Sequence, residues 1–452
     1  MRKMFFAVAL FLAAAGMVSA QNIWTPPQPK RIVLKNGLTI LLLENHQLPV
    51  ISAEVMVKAG SVTDPAGYAG LANFTIEMLA KGTSSRSALD IADNFDFVGA
   101  QFAVKCDYDA AFISLTTLAK DFNRTVPVLF ELLTKPAFDS LETGRLKAEL
   151  LSAIEAKGDR PNTQSAEAFN LMLFKDHPYA HPGMGDAESV SRISRQDLAG
   201  YHQKYYAPNN CIISLVGDFK SSQIKRILEQ NLGNWAARNM PQSILPEIPP
   251  IGQPRALLIN RQINQAYINL GFLGPKRSDP DYQAIRVMNY ILGGGGFVSR
   301  LVKNIRMAQG LAYDVDSYYD PRSDFGPYIL SVQTKCASAD TAIKSLIAEM
   351  RLIQSQPVSE EELKEAQDYI RGSYPFRFET SGQTARQFLY LELYDLGADY
   401  FRQDMQKTLQ VTQADVMAAA KKYLKPDNFL LAMVTDTSQT KLNIPGLKIE
   451  KQ

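Results

Sequence analysis

Two stretches of this chain, 218 positions apart, spell out the same run of local structure. Ser194, Asp197, Tyr205, Pro208 and Asn210 are matched without a gap by Thr412, Asp415, Tyr423, Pro426 and Asn428. In each copy a hydroxyl residue has Asp three positions on, the pattern of an N-cap answered by an acidic side chain in the first helical turn. Each copy then breaks at Pro-Asn-Asn or Pro-Asp-Asn and enters an apolar run, "CIISLVGDF" in one and "FLLAMVTDT" in the other. Cap, helix, turn and buried strand therefore occur twice. Upstream, Leu146-Lys147 and Leu363-Lys364 repeat at an offset of 217. Two copies make a domain duplication and no solenoid.

Between the copies, residues 236–254 ("AARNMPQSILPEIPPIGQP") carry five prolines and little periodicity. Such composition favours a stiff, extended connector. The expected organisation is a signal peptide over 1–20, a first domain over 21–235, a linker over 236–254 and a second domain over 255–452. In the first domain, 32–44, 50–58 and 111–118 pattern as strands, and 70–79, 87–98, 122–133 and 140–156 as helices. Hairpins with helices on one side predict an α+β fold: two homologous layer sandwiches, each a sheet covered by helices on one face.

The first residues, Arg2 and Lys3, precede an apolar stretch that ends in Val18-Ser19-Ala20. A basic start, a short apolar run and small residues at those spacings predict a secretory signal cleaved after Ala20, and the run is too short for a comfortable membrane span. The periplasm is the expected destination. Loss of Arg2 and Lys3 takes the formal charge from +2 to 0. A neutral chain without a concentrated basic block argues against nucleic acid as a partner. No later run has the length of a transmembrane helix, so no membrane association is expected after cleavage. Cys106, Cys211 and Cys336 lie far apart with no CxxC spacing, which predicts buried free thiols and no disulfide framework.

Residues 70–83 read "GLANFTIEMLAKGT". They resemble the helix of the pitrilysin and insulinase-like zinc peptidases, whose H-x-x-E-H signature stands in the surroundings G-L-A-H-F-L-E-H-M-L-F-K-G-T. Gly70, Leu71, Ala72, Phe74, Met78, Leu79, Lys81, Gly82 and Thr83 match as they stand. The chemistry-bearing positions do not: Asn73 replaces the first His, Ile76 the Glu and Glu77 the second His. Counting back eight from Pro161 puts Ala153 where the family has its third ligand. The resemblance therefore implies that this chain holds no zinc of its own. Asn73 and Glu77 alone make a poor cation cage, and Ile76 cannot be a general base at any pH. The four histidines offer no replacement, because prolines beside His177 and His181 preclude a helix through that pair. No Gly-x-Ser-x-Gly and no Cys/His grouping points to another hydrolase.

Residues 291–319, "ILGGGGFVSRLVKNIRMAQGLAYDVDSYY", are similar to the same family's C-terminal substrate-binding segment. There a Gly-rich turn precedes S-R-L, and an Arg is followed seven residues later by a Tyr; here the pair is Arg306 and Tyr313. The resemblance implies that they reach toward a zinc site and hold the peptide beside its scissile bond. Both residue types suit that role, since Arg offers a fork of donors with a permanent charge and Tyr a phenolic donor. No Gly-Lys-Ser/Thr follows the glycines 293–296, so they predict a tight turn and close backbone approach, and not a phosphate loop. The expectation is a non-catalytic, substrate-binding subunit of an exported heterodimeric zinc metallopeptidase, acting on extended peptides. Zinc and base would sit in a homologous partner chain with an intact H-x-x-E-H. The alternative class is a catalytically inert scaffold or peptide-binding protein of the same fold.

Overall fold

The Asn36-Gly37 turn, with Gly37 at φ 88°, divides the first apolar stretch of the computed structural model, which describes residues 24–241 and 245–452. The single run expected over 32–44 is thus a hairpin of β1 (Lys30–Val33) and β2 (Thr39–Glu44), since an Asn-Gly pair readily takes positive φ. With β3 (Val50–Val57), β4 (Gln101–Cys106), β5 (Ala111–Leu118) and β6 (Cys211–Gly217) it forms a six-stranded sheet ordered β1-β2-β6-β3-β5-β4. The second half supplies β7 (Arg255–Asn260), β8 (Gln265–Gly274), β9 (Ala312–Tyr319), β10 (Gly326–Lys335), β11 (Leu430–Thr435) and β12 (Lys448–Lys451), ordered β12-β7-β11-β8-β10-β9. The sheets correspond strand for strand. β2 runs parallel to β6 as β7 does to β11. Only the outermost strand differs: β1 is antiparallel to β2, whereas β12 comes from the chain's end and lies parallel to β7.

The repeated caps are realised as matching capping boxes. Ser194 accepts from Asp197 N–H ahead of the helix Arg195–Tyr205, and Thr412 accepts from Asp415 N–H ahead of Gln413–Tyr423. Each acidic side chain in turn accepts from the cap's own N–H, at 2.8 and 2.9 Å. One local sequence rule therefore starts both helices.

Each sheet is covered by its own half's helices on one face and by the other half on the opposite face. In the first sheet Ile40, Val55 and Ile213 face a core shared with the helices Leu71–Leu79, Phe122–Thr134 and Ser140–Gly158. The alternate positions Leu41, Met56 and Ile212 pack on Phe388 and Leu389 of Ser381–Leu393, a helix of the second half. Reciprocally, Phe169 and Leu173 of the first half's helix Pro161–Phe174 cover Ile329, Leu430 and Ala432 of the second sheet. Polar ties fix the exchange. Ser165 Oγ donates to the Ala432 carbonyl at 3.1 Å and accepts from Asn269 Nδ2 at 2.7 Å, while Arg386 Nε donates to the buried Glu54 carboxylate at 2.7 Å. Burial of β6 and β11 on both sides explains their unbroken apolar runs, where a half-exposed strand would alternate.

Cys211 and Cys336 are buried, Cys106 is half-buried, and all three are free. Among the described residues no helix is long and apolar enough to cross a membrane. The expected signal segment lies outside them.

His202, on the helix Arg195–Tyr205, stacks on Tyr206 and donates from Nε2 to the Leu133 carbonyl at 2.9 Å. Burial pushes its imidazole down to about 4. The unfolded chain takes up that proton near pH 6.5 and the folded one near 4, so stability is lost as pH falls through this window. The group's share is about 3 kcal/mol. Denaturant titrations from pH 7 to 4 are expected to show that loss in the wild type and a shallower one in His202→Gln; equal slopes would remove His202 from the account.

Candidate functional site

The helix Leu71–Leu79 keeps the frame of a metal-binding helix without its donors. Asp64 starts it: its two carboxylate oxygens accept the N–H groups of Gly70 and Ala72 at 2.8 and 2.7 Å. Gly70 caps the helix at φ 90°, where a Cβ would lie 2.4 Å from the Met184 carbonyl, so only glycine fits. Asn73 and Glu77 lie one turn apart and bond to each other, Asn73 Nδ2 to Glu77 Oε1 at 2.8 Å. Burial raises the Glu77 carboxyl above its ordinary range, with the Asn73 contact and Lys81 opposing. Ile76 is fully buried in the core. Ala153 sits on Ser140–Gly158, a helix packed against the motif helix; Lys81, just past the motif helix's end, pairs with Glu149 of Ser140–Gly158 at 3.7 Å.

The fold thus brings all four positions to neighbouring helices, but they present one amide, one carboxylate and two hydrocarbon side chains. That donor set does not fit zinc, which takes three or four N, S or carboxylate ligands. Among the described residues no three His, Cys, Asp or Glu side chains are grouped to hold a metal. His177, buried, accepts from Tyr179 N–H at 3.1 Å in a single 3-10 turn, and His181 follows that turn in extended backbone.

The second half builds a cleft of about 410 Å³ beside the free edge of β9, whose only sheet partner among the described residues is β10. Arg306 lines it from a π-helical turn, Val302–Ala308, anchored by the buried Val302 and Ile305. Such i→i+5 turns recur at functional sites because they re-aim a side chain out of the regular helical track. The Arg306 guanidinium carbon lies 5.1 Å from the Phe297 ring and 5.3 Å from the Tyr313 ring. Among the described residues it forms no ion pair and no hydrogen bond with a carboxylate. Tyr313 is the second residue of β9 and is 76% exposed. Asp314, Asp316 and Tyr318 continue along the cleft, with burial raising the Asp316 carboxyl. A planar, permanently charged donor held between two rings, beside unpaired strand backbone, can seize a carbonyl oxygen of an extended peptide.

Asp64 and Phe297 are contributors that reading the sequence did not single out. Phe297 follows directly on the four glycines and is 66% exposed; an aromatic residue after a turn signal is the only trace it leaves in the sequence. Asp64 lies six residues ahead of the N-cap Gly70, outside the usual N-cap spacing.

The glycines act by close approach. A Cβ on Gly293 would stand 2.4 Å from the Ser317 backbone nitrogen and 2.5 Å from its hydroxyl. Gly293→Ala is therefore expected to displace β9, to lower stability by about 1–3 kcal/mol and to weaken peptide binding; a chemical-denaturation midpoint and a peptide titration check both.

Comparison with known proteins gives one consistent likeness. Residues 39–187 match the family model described as Insulinase (Peptidase family M16), and residues 192–370 that described as Peptidase M16 inactive domain. An uncharacterized zinc protease of Mycobacterium tuberculosis is 28% identical over 406 residues, covering 88% of this chain and 91% of that protein. Another, of Rickettsia bellii, is 27% identical over 340 residues, 75% of this chain and 81% of its own length. The peptidase M16 inactive domain from Pseudomonas fluorescens superposes with a TM-score of 0.85 at 27% identity, covering 91% of this chain and 99% of that one. A protease from Helicobacter pylori has the same TM-score at 17% identity, a likeness of fold, over 91% and 100% of the two chains.

Proposed function

This chain belongs to the insulinase family of peptidases, and we propose that within it the chain is the non-catalytic, substrate-binding subunit of an exported heterodimeric zinc metallopeptidase. A homologous partner carrying H-x-x-E-H supplies the zinc site and general base. This chain supplies Arg306 and Tyr313. The observation that carries the reading is the contrast between its two halves: the motif helix has no usable donor set, whereas Arg306 lines an open cleft with no ion pair among the described residues.

The division of labour follows from the groups. As a peptide carbonyl becomes tetrahedral its oxygen gains negative charge, and a preorganised guanidinium stabilises that charge more than it stabilises the neutral carbonyl. Tyr313 adds a neutral donor from the same side. The unpaired edge of β9 aligns an extended peptide by backbone hydrogen bonds, a mode with little demand on side-chain sequence. The fold relatives that are inactive domains support pairing with an active chain. The signal-like N-terminus supports export to the periplasm.

The test is co-expression with a homologous H-x-x-E-H chain from the same genome. Peptide hydrolysis that needs both chains and stops with chelator is the expected result. Chelator-sensitive hydrolysis by this chain alone, or a stable complex that never cleaves, would overturn it.

A further inference from the structure

A separate cavity of about 470 Å³ lies where the β4–β5 turn of the first half meets the β9–β10 turn and the helix Ser381–Leu393 of the second. It shares no lining residue with the Arg306 cleft. Its walls are aromatic, and three arginines and Lys105 line it together with three aspartates.

Arg277 lies flat on Tyr282, 3.7 Å from the ring centroid, and donates from Nη2 to Tyr400 Oη at 2.7 Å. Arg322, only 4% exposed, stacks 3.5 Å over Tyr108 and donates from Nε and Nη2 to Asp320. Each of these two side chains retains a buried Nη1 with no hydrogen-bond partner. Arg377, which also lines the cavity, has no ion pair among the described residues and rests 4.9 Å over Tyr374.

The lining carboxylates are already engaged. Asp107 pairs with Lys105 at 2.6 Å, Asp320 with Arg322, and Asp109 accepts from the Tyr179 hydroxyl and from Ser323 N–H. Four basic side chains thus face three carboxylates, and one further negative charge would balance the wall. The Nη1 donors of Arg277 and Arg322 are closed off from solvent, so the basic group open to a ligand is the unpaired, half-buried Arg377.

We propose that this cavity binds a carboxylate carried on an apolar body, namely the C-terminal end of a short peptide whose last residue is aromatic or aliphatic. The carboxylate meets the Arg377 guanidinium, for whose fork its two oxygens have the matching geometry. The side chain lies against the tyrosine wall, and the volume falls in the range of small-ligand sites. The site is independent of whether the chain pairs with a peptidase.

Calorimetric titration of the whole chain tests it, using N-acetyl-Ala-Phe as free acid, the same dipeptide as C-terminal amide, and inorganic phosphate. The acid is expected to bind at one site per chain, and the amide about ten-fold more weakly or worse, the scale of a charge-assisted contact. Arg377→Gln, a change at a half-buried position, is expected to weaken the acid by a similar factor, and Arg306→Ala to leave it unchanged. Equal affinity for acid and amide, or no saturable binding of the acid to the wild type, overturns the proposal. Loss of binding in Arg306→Ala would move the site to the other cleft and overturn it equally. Phosphate binding as tightly as the acid would reject a peptide end as the ligand.

Discussion

Arg306→Ala, in the complex with an H-x-x-E-H partner, is expected to lower kcat/KM for peptide cleavage about 100-fold, with most of the loss in kcat. Removal of one preorganised donor to a developing oxyanion costs about 3 kcal/mol of barrier stabilisation. The guanidinium is already held between Phe297 and Tyr313, so little reorganisation is left for the reaction itself. Tyr313→Phe removes a neutral donor and is expected to cost about ten-fold. Arg306→Lys keeps the charge but loses the fork, and should fall between wild type and Ala. A loss confined to KM would show instead that Arg306 binds substrate and transition state equally. Full activity in both Arg306→Ala and Tyr313→Phe would remove the assignment.

Expressed alone, neither half is expected to fold cooperatively, despite the repeat that makes each look like a domain. Without Ser381–Leu393, a fragment of residues 24–241 exposes Leu41, Met56, Phe112, Ile212 and Val216 on the second face of its sheet. Burial of each such side chain contributes about 1.5–3 kcal/mol, so five together rival the whole stability of a typical domain, about 5–15 kcal/mol. The second half alone exposes Ile329, Leu430 and Ala432 and loses the Ser165 hydroxyl that bonds Asn269. The isolated halves should bind a hydrophobic dye and lack near-ultraviolet circular dichroism, while the two co-expressed should reassemble. Phe388→Ala in the intact chain should cost about 3–5 kcal/mol through the same interface. A sharp, two-state unfolding transition from either fragment would contradict this.

The candidate site was legible in the sequence as far as two short stretches, 70–83 and 291–319, resemble the family's segments. The motif positions Asn73, Ile76 and Glu77 are fixed relative to one another by helical spacing alone, and Arg306 and Tyr313 by the spacing of a turn and a strand start. The mutual bond of Asn73 and Glu77 follows from an i, i+4 relation. Other features are long-range. Asp64 reaches its helix through a loop, and nothing in the spacing of Arg277, Arg322 and Arg377 announces one cavity.

By itself the sequence determined the duplication, the capping boxes at Ser194 and Thr412, the buried strands and the residues that stand at the motif positions, Asn73, Ile76, Glu77 and Ala153. Apart from the duplication, read from matches 218 positions apart, these are local properties, set by which residues stand three, four or two positions apart. Only the tertiary structure decided which surface each apolar face meets. The helix Pro161–Phe174 covers the second sheet and Ser381–Leu393 the first, and both sheets end in a free edge strand, β4 or β9. An apolar stripe requires burial but is indifferent to its partner, because the hydrophobic effect has no direction; the choice is made by shape and by a few buried polar ties such as Arg386 with Glu54.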